Sequence, residues 1–236
     1  MSDTDRILYF DIETAAGDVP VAQLRPIEAN KTLKDPDKVA ADILKKSQQQ
    51  LDEMSLDPYA CRIVAIGVNL DGHEAAYLAP DEAHERIALQ AWWRMAADRP
   101  LCGFNCKRFD LPVLITRSWL LGVTFPFWMQ APDFLRRSRT VIDLYDYVTH
   151  GQSSYGSGGV ISRGLMSLCA RFGIDIPADD ISGSGIADAV RCGQWDAVRT
   201  HVLRDVQRTV ALAQRLRVAE TPAVVTAEAR QEIGAF

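Results

Sequence analysis

Acidic residues that follow apolar runs are the side chains in this sequence best suited to chemistry. Asp11 and Glu13 stand at the polar exit of the apolar run Ile7–Asp11, in YFDIET. Positions two apart on a strand share a face. Two acids side by side on a core strand repel one another, and burying them is costly unless a cation joins them. Asp110 lies in GFNCKRFDLPVL, where Asn105 ends one element and Phe109-Asp110 opens the next. Taken alone, Asp110 is an ordinary helix-start acid, favoured by the helix macrodipole. Asp205 lies inside the last helical pattern, whose stripe runs through Val198, Val202, Val206, Thr209, Leu212 and Leu216. His201 is one turn earlier, beside or within that stripe. Taken alone, His201 and Asp205 read equally well as a buried pair that satisfies itself.

Taken together, Asp11, Glu13, Asp110 and Asp205 are four carboxylates from three separate elements. Hard divalent cations such as Mg²⁺ take oxygen ligands and keep several waters, so few carboxylates are needed per ion. Two such ions can clamp the attacking and leaving oxygens of a phosphodiester. That chemistry needs about four converging acids and one group that orients the attacking water.

Other chemistries lack their residues. The five cysteines, Cys61, Cys102, Cys106, Cys169 and Cys192, are scattered and form no CxxC pair, which excludes a disulfide framework and a zinc ribbon. The four histidines, His73, His84, His150 and His201, form no HExxH spacing. The segment Gly151–Gly159 is rich in Gly and Ser but has neither the GxGxxG nor the GxxxxGKS form, and reads as a loop. No GxSxG elbow is present.

The elements that must position these acids form a mixed α/β pattern. Ile7–Asp11 reads as a buried strand and Cys61–Leu70 as a second. Asp71-Gly72 signals a hairpin into a third strand, His73–Ala79. Asp81 caps a helix running to about Asp98, Pro100–Phe104 is a fourth strand, and Phe109–Leu121 a helix. Arg139–Asp143 reads as a fifth strand, followed by helices at Gly164–Phe172 and Trp195–Val218. The expectation is a five-stranded mixed sheet, its first three strands antiparallel, flanked by helices. Residues 15–59 are far too long for a hairpin loop. Asp35-Pro36 is a helix start, and Val39, Ile43, Leu44 and Leu51 follow at near-helical spacing, so a helix from about Pro36 to Met54 is inserted after the first strand. It covers a substrate groove or packs on the outside. Without repeats or a second core sequence, residues 1–236 read as a single domain, with 219–236 as a tail that carries no motif.

In this order, YFDIET (Tyr9–Thr14), GFNCKRFD (Gly103–Asp110) and HVLRD (His201–Asp205) resemble the three motifs of the DEDD superfamily of 3′→5′ exonucleases, whose fold is ribonuclease H-like. CRIVAIGV resembles the second strand of the polymerase-B-type proofreading nucleases. TVIDLYDY, GLMSLCARFGI and DDISGSGIADAVRCGQWDAV resemble the connecting region of standalone bacterial and phage members, so the likeness runs from about Arg6 to Leu216.

The resemblance implies roles. By that resemblance Asp11 would be the acid shared by two divalent ions, Mg²⁺ or Mn²⁺. Glu13 and Asp205 complete the site of the nucleophilic water, and Asp110 acts on the second ion through water. Asn105 and Phe109 would place the 3′-terminal nucleotide, Phe109 partly by packing. From local features rather than from the resemblance, Lys107 and Arg108, which flank the second motif, and Thr14 are further candidate substrate contacts. The superfamily divides between Tyr-x3-Asp and His-x4-Asp third motifs. Here His201 has the first branch's spacing and the second branch's residue, while Thr200 occupies the other branch's position. A residue at i−4 shares the face of Asp205, so His201 is the expected group to orient or deprotonate the water.

Composition bears on partners. The 236 residues carry 26 basic and 31 acidic side chains, a net charge of −5. Phosphate binding is dominated by Lys and Arg, so the balance alone argues against nucleic acid. Two bound divalent ions, however, move the net charge close to −1, and affinity is then expected to depend on metal and to be confined to one strand end. Further candidate phosphate contacts are Arg136, Arg137, Arg139, Arg199, Arg204 and Arg208, and Tyr155 and Trp128 are candidate stacking residues that packing explains as well. The expected substrate is a single-stranded DNA 3′ end, with release of 5′-mononucleotides. Exoribonuclease or oligonucleotide-trimming activity, or a catalytically weak binding module, are the alternatives. Any replication, repair or defence partner is expected to be a separate chain. No apolar window reaches the ~18 residues of a membrane span, and Met1–Arg6 carries no signal-peptide pattern, so a cytoplasmic protein is expected.

Overall fold

β1, Leu8–Ala16, is the central strand and organises the rest. The computed structural model of the protein describes residues 7–97, 99–126, 129, 138, 140–151, 162–177 and 181–218. Beside β1 run β2 (Cys61–Leu70) on one edge and β4 (Leu101–Gly103) on the other, with β3 (His73–Leu78) and β5 (Val141–Asp143) outermost. The strand order is β3-β2-β1-β4-β5. The first three strands are antiparallel, and β4 and β5 run parallel to β1. Asp71-Gly72 makes the expected turn, both residues in the left-handed region at φ 54° and 81°.

β1 is longer than the apolar run suggested. It continues through Asp11 and Glu13 to Ala16, so both acids lie inside the strand rather than at its exit. The ladder with β2 supplies the reason: pairing continues past the polar residues, with Asp11 opposite Gly67 and Glu13 opposite Ala65. A register shift between Glu13 and Thr14 marks a bulge directly after the second acid.

The alternation of β1 separates two cores. Leu8, Phe10 and Ile12 pack with Trp92 and Trp93 of α2 (Glu82–Ala96) and with Leu111 and Leu114 of α3 (Asp110–Leu121). The opposite face is covered by α6 (Ile186–Arg191) and α7 (Trp195–Arg215), through Ile186, Ala189, Val198 and Val202 against Val64 and Ala65. α4 (Leu144–Val148) and α5 (Leu165–Arg171) complete that side, with Leu144 and Cys169 against Leu212 and Ala213. Glu85 of α2 is fully buried and accepts hydrogen bonds from Arg117 Nε at 2.7 Å, Arg117 Nη2 at 2.9 Å and the Ile63 backbone N–H at 2.9 Å. One carboxylate thus fastens α2, α3 and β2 together.

The inserted helix, α1, spans Pro36–Leu56. Pro36 is its first residue, and the Asp35 carboxylate caps the Asp37 and Lys38 N–H groups, as that dipeptide predicts. Of α1 only Met54 is buried, whereas Leu44 and Leu51 are exposed. Asp81 likewise caps α2 by accepting from the His84 N–H at 2.9 Å. The phosphate or stacking candidates Trp128, Arg136, Arg137, Arg139 and Tyr155, most of the Gly/Ser loop and the tail lie outside the described residues.

Candidate active site

The site forms where α7 crosses β1 and β2. At Gly67, directly opposite Asp11, a Cβ would lie 2.9 Å from the Cγ2 atoms of both Val202 and Val206 and 3.0 Å from the Val202 carbonyl. The missing side chain lets the helix approach the sheet closely. The helical period then turns His201 and Asp205, one turn apart, toward the acid-bearing face of β1.

The outcome is a tight polar cluster. One ligand atom each from Glu13, His201 and Asp205 lies within 4.8 Å of the others. His201 Nε2 is 3.4 Å from Glu13 Oε1 and 3.9 Å from Asp205 Oδ2. His201 and Glu13 are buried, at 6% and 8% exposure. Gly183, in the turn before α6, passes over the imidazole, with the position of a Cβ 3.9 Å from Nε2.

Asp11 and Asp110 face the same cluster electrostatically. Desolvation holds the Asp11 carboxyl well above its ordinary range, and repulsion from Asp110, Asp205 and Glu13 raises it further. Burial likewise pushes Asp110 up to about 7, with repulsion from Asp143 and Asp205, while its own N–H and that of Ile12 pull in the other direction. Glu13 and Asp205 are thus gathered from β1 and α7, and the charges of Asp11 on β1 and Asp110 on α3 act on the same cluster. Glu13 and Asp205 within 4.8 Å of one another, with two further desolvated carboxylates repelling them, are the donor set a hard divalent cation neutralises, so the residues present fit such an ion.

Other expected contacts have protein partners. The Thr14 hydroxyl donates to the Ser55 carbonyl at 2.6 Å, tying β1 to the end of α1. Arg108 Nη2 lies 2.8 Å from Asp146 Oδ1 and its guanidinium stands 5.4 Å over the Tyr145 ring. Lys107 Nζ is 3.9 Å from Asp146 Oδ2. Arg204 Nη1 donates to the Pro177 carbonyl at 2.8 Å. Arg208 is buried, donating to Asp205 Oδ1 at 2.6 Å and to the Pro177 carbonyl at 3.1 Å. Arg208 is thus part of the site's framework rather than an exposed phosphate contact.

Asn105 and Phe109 sit in the turn between β4 and α3, with Asn105 at φ 58° and the Phe109 N–H bonded to the Asn105 carbonyl at 3.2 Å. Asn105, Phe104, Arg108, Tyr145 and Arg163 line an adjoining groove of about 460 Å³. The turn rests on Asp143, a residue the sequence reading did not single out. Asp143 is 1% exposed, and burial raises its carboxyl, with N–H bonds from Lys107, Tyr145 and Asn105 opposing. Its signal in the sequence is an acid directly after the apolar pair Val141-Ile142, as Asp11 follows an apolar run.

Residues 56–233 match the family described as "Predicted 3'-5' exonuclease related to the exonuclease domain of PolB". That span begins at Leu56, the last residue of α1, and includes Asn105, Phe109, Asp110, His201 and Asp205; Asp11 and Glu13, on β1, lie outside it. An uncharacterised protein of Methanocaldococcus jannaschii is 28% identical over 170 residues, covering 67% of this chain and 88% of the relative. The fold is similar to that of the family B DNA polymerase from the hyperthermophilic archaeon Pyrobaculum calidifontis, with a TM-score of 0.59 and 19% identity. That likeness covers 98% of this chain but 27% of the polymerase, so the chain spans about a quarter of that relative's length.

Proposed function

The chain belongs to the family of predicted 3′-5′ exonucleases related to the exonuclease domain of PolB, and from that membership we propose that it hydrolyses the terminal phosphodiester at the 3′ end of single-stranded DNA and releases 5′-mononucleotides. The observation that carries the reading is the gathering of Glu13, His201 and Asp205 within 4.8 Å, beside Asp11 and Asp110, on one face of the central strand. A five-stranded mixed sheet with this order supports the ribonuclease H-like fold on which the motifs depend.

Asp11, Glu13, Asp205 and Asp110 are the residues that would hold two divalent cations. When bound, such ions supply Lewis-acid polarisation of the phosphate and lower the pKa of a coordinated water. The chain's own groups do the rest. Glu13 and Asp205 fix the position of the water, each through an oxygen near the imidazole. His201 Nε2 takes the proton as the water oxygen bonds to phosphorus. The P–O3′ bond of the penultimate nucleotide breaks, its oxygen takes up a proton from bulk water, His201 returns its proton to solvent, and the products are a 5′-mononucleotide and a shortened strand ending in 3′-OH. Asn105 and Phe109 position the terminal nucleotide. His201 is placed for this work because its Nε2 lies 3.4 Å from Glu13 Oε1 and 3.9 Å from Asp205 Oδ2, where the water would be held.

The test uses 5′-labelled and 3′-labelled single strands, DNA and RNA in parallel, with Mg²⁺ or Mn²⁺ and with Asp11→Ala as control. A descending ladder from the 5′-labelled DNA strand and early release of the 3′ label is the expected result. Faster degradation of RNA would reassign the substrate, and no metal-dependent degradation of either strand would defeat the reading.

A further inference from the structure

Resting on the nuclease reading above, we propose that Asp143 is a positioning residue for the substrate strand: its carboxylate holds the turn that presents Asn105 and Phe109 to the 3′-terminal nucleotide. Asp143 ends β5, and its side chain reaches across to the turn that follows β4. Oδ1 accepts from the Asn105 N–H at 2.8 Å and from the Tyr145 N–H at 3.0 Å, and Oδ2 accepts from the Lys107 N–H at 3.0 Å. The Tyr145 bond is the ordinary cap of α4. The other two bonds are surplus to capping and bind a turn remote in sequence.

What they hold is an uncommon backbone. Asn105 adopts φ 58°, a left-handed conformation open to Asn but disfavoured for most side chains. N–H groups on either side of Cys106 aim at one anion, the arrangement by which successive backbone donors bind negative charge. Charge-assisted bonds of this kind are stronger than neutral ones. The Asn105 carbonyl then accepts from the Arg108 and Phe109 N–H groups at 3.1 and 3.2 Å. The conformation at Asn105 therefore sets where Phe109 stands.

The same short element holds the side chains of the turn. Asp146, three residues after Asp143, pairs with Arg108 at 2.8 Å and with Lys107 at 3.9 Å. Asp143 thus fixes the backbone of the turn and Asp146 its cations. N–H donors reach both Asp143 oxygens, so the part assigned to it is orientation of the turn.

Asp143→Asn keeps the side chain's size but sets an amide NH₂ against one of the N–H donors. In the labelled-strand assay it is expected to raise KM for a single-stranded 3′ end about tenfold, the scale of losing one charge-assisted hydrogen bond. kcat and the dissociation constant for Mn²⁺ are expected to stay within about twofold, since the four acids are untouched. A purely structural role would not separate KM from the other two. A folded Asp143→Asn protein, judged by its thermal melt, with wild-type KM would overturn the proposal, as would a loss confined to kcat or to Mn²⁺ affinity. If that variant does not fold, hydrogen exchange in the wild-type chain decides. Slow exchange at the Asn105 and Lys107 amides, slowed further by a strand with phosphorothioate 3′ linkages, supports the proposal; exchange unaffected by the strand overturns it. A wild-type chain that degrades no strand removes the nuclease reading and this proposal together, which is distinct from an active enzyme indifferent to Asp143.

Discussion

Arg208 Nη1 donates to Asp205 Oδ1 at 2.6 Å, one helical turn further along α7. Asp205 therefore has one oxygen committed to a buried cation, while Oδ2 lies 3.9 Å from His201. A second bond, from Arg208 Nη2 to the Pro177 carbonyl at 3.1 Å, fixes the guanidinium in place. Arg208→Gln leaves Asp205 without its counter-charge inside the fold. Breaking a buried pair in this way costs about 3 kcal/mol, to be read as a fall in the chemical-denaturation midpoint, and weaker Mn²⁺ binding is expected in calorimetry. Arg208→Lys is expected to restore charge but not the two-partner geometry, and so to recover only part of both.

Mutual repulsion among the acids separates stability from activity. Asp11→Asn removes a desolvated charge that Asp110, Asp205 and Glu13 all oppose. The variant is expected to melt at a higher temperature than the wild type in EDTA at pH 8. Its metal-dependent nuclease rate is expected to fall by about 10²-fold or more, since charge stabilisation in the transition state depends on that carboxylate's ion. A lower melting temperature in EDTA would contradict the electrostatic account.

The same repulsion makes the metal-free protein sensitive to pH. Asp11 and Asp110 are held above the ordinary carboxylate value, Asp110 to about 7. The folded state therefore keeps protons that the unfolded chain has already lost, and stability falls as pH rises wherever that is so. The contribution is complete below pH ~4, where both states are protonated, and is lost as pH passes through about 7. Denaturation in EDTA is expected to show declining stability from pH 5 to 8. Saturating Mn²⁺ is expected to flatten or reverse the slope, because bound metal stabilises the deprotonated acids.

His201→Ala tests the general base directly. Proton transfer by a positioned side chain is worth about 10²–10⁴-fold, so kcat with Mn²⁺ is expected to fall by that order while the protein still folds. Near-full activity would assign His201 to the packing of Glu13 and Asp205 alone.

Gly67→Val places methyl groups where Val202 and Val206 already sit, 2.9 Å from the new Cβ. Overpacking of this kind costs about 1–3 kcal/mol. Because His201 and Asp205 ride on the displaced helix, nuclease activity is expected to fall more than the melting temperature implies. Gly72→Ala, in the exposed hairpin turn at φ 81°, is the control: strained locally, with no neighbour within 4 Å and no effect on activity.

Much of this architecture is written in short-range pattern. Asp35-Pro36 and Asp81 are helix starts because a carboxylate reaches N–H groups two or three residues on, and both caps form as the dipeptide and spacing require. His201 and Asp205 share a face because a helix repeats every ~3.6 residues. The three acid-bearing motifs, their order and the strand–helix alternation around them are likewise properties of the chain alone. The length of β1 was not, since an apolar run cannot reveal that a polar stretch will continue a ladder whose partner is some fifty residues away.

Tertiary structure decided what surrounds the acids. The approach of α7 at Gly67 places the third motif over the first, and a glycine inside a strand pattern does not name the helix that will press on it. Arg204 and Arg208 have the composition of phosphate ligands, yet their hydrogen bonds go to Pro177 and Asp205. Thr14 closes the first motif, yet its hydroxyl belongs to Ser55. Asp143 looks like one more acid after a strand, yet it anchors a turn 36 to 38 residues earlier. The division has a physical cause. Backbone geometry sets which face a residue takes from its near neighbours, whereas a charged side chain goes to whichever donor or acceptor the packed elements bring within about 3 Å, and only the assembled sheet and helices determine which that is.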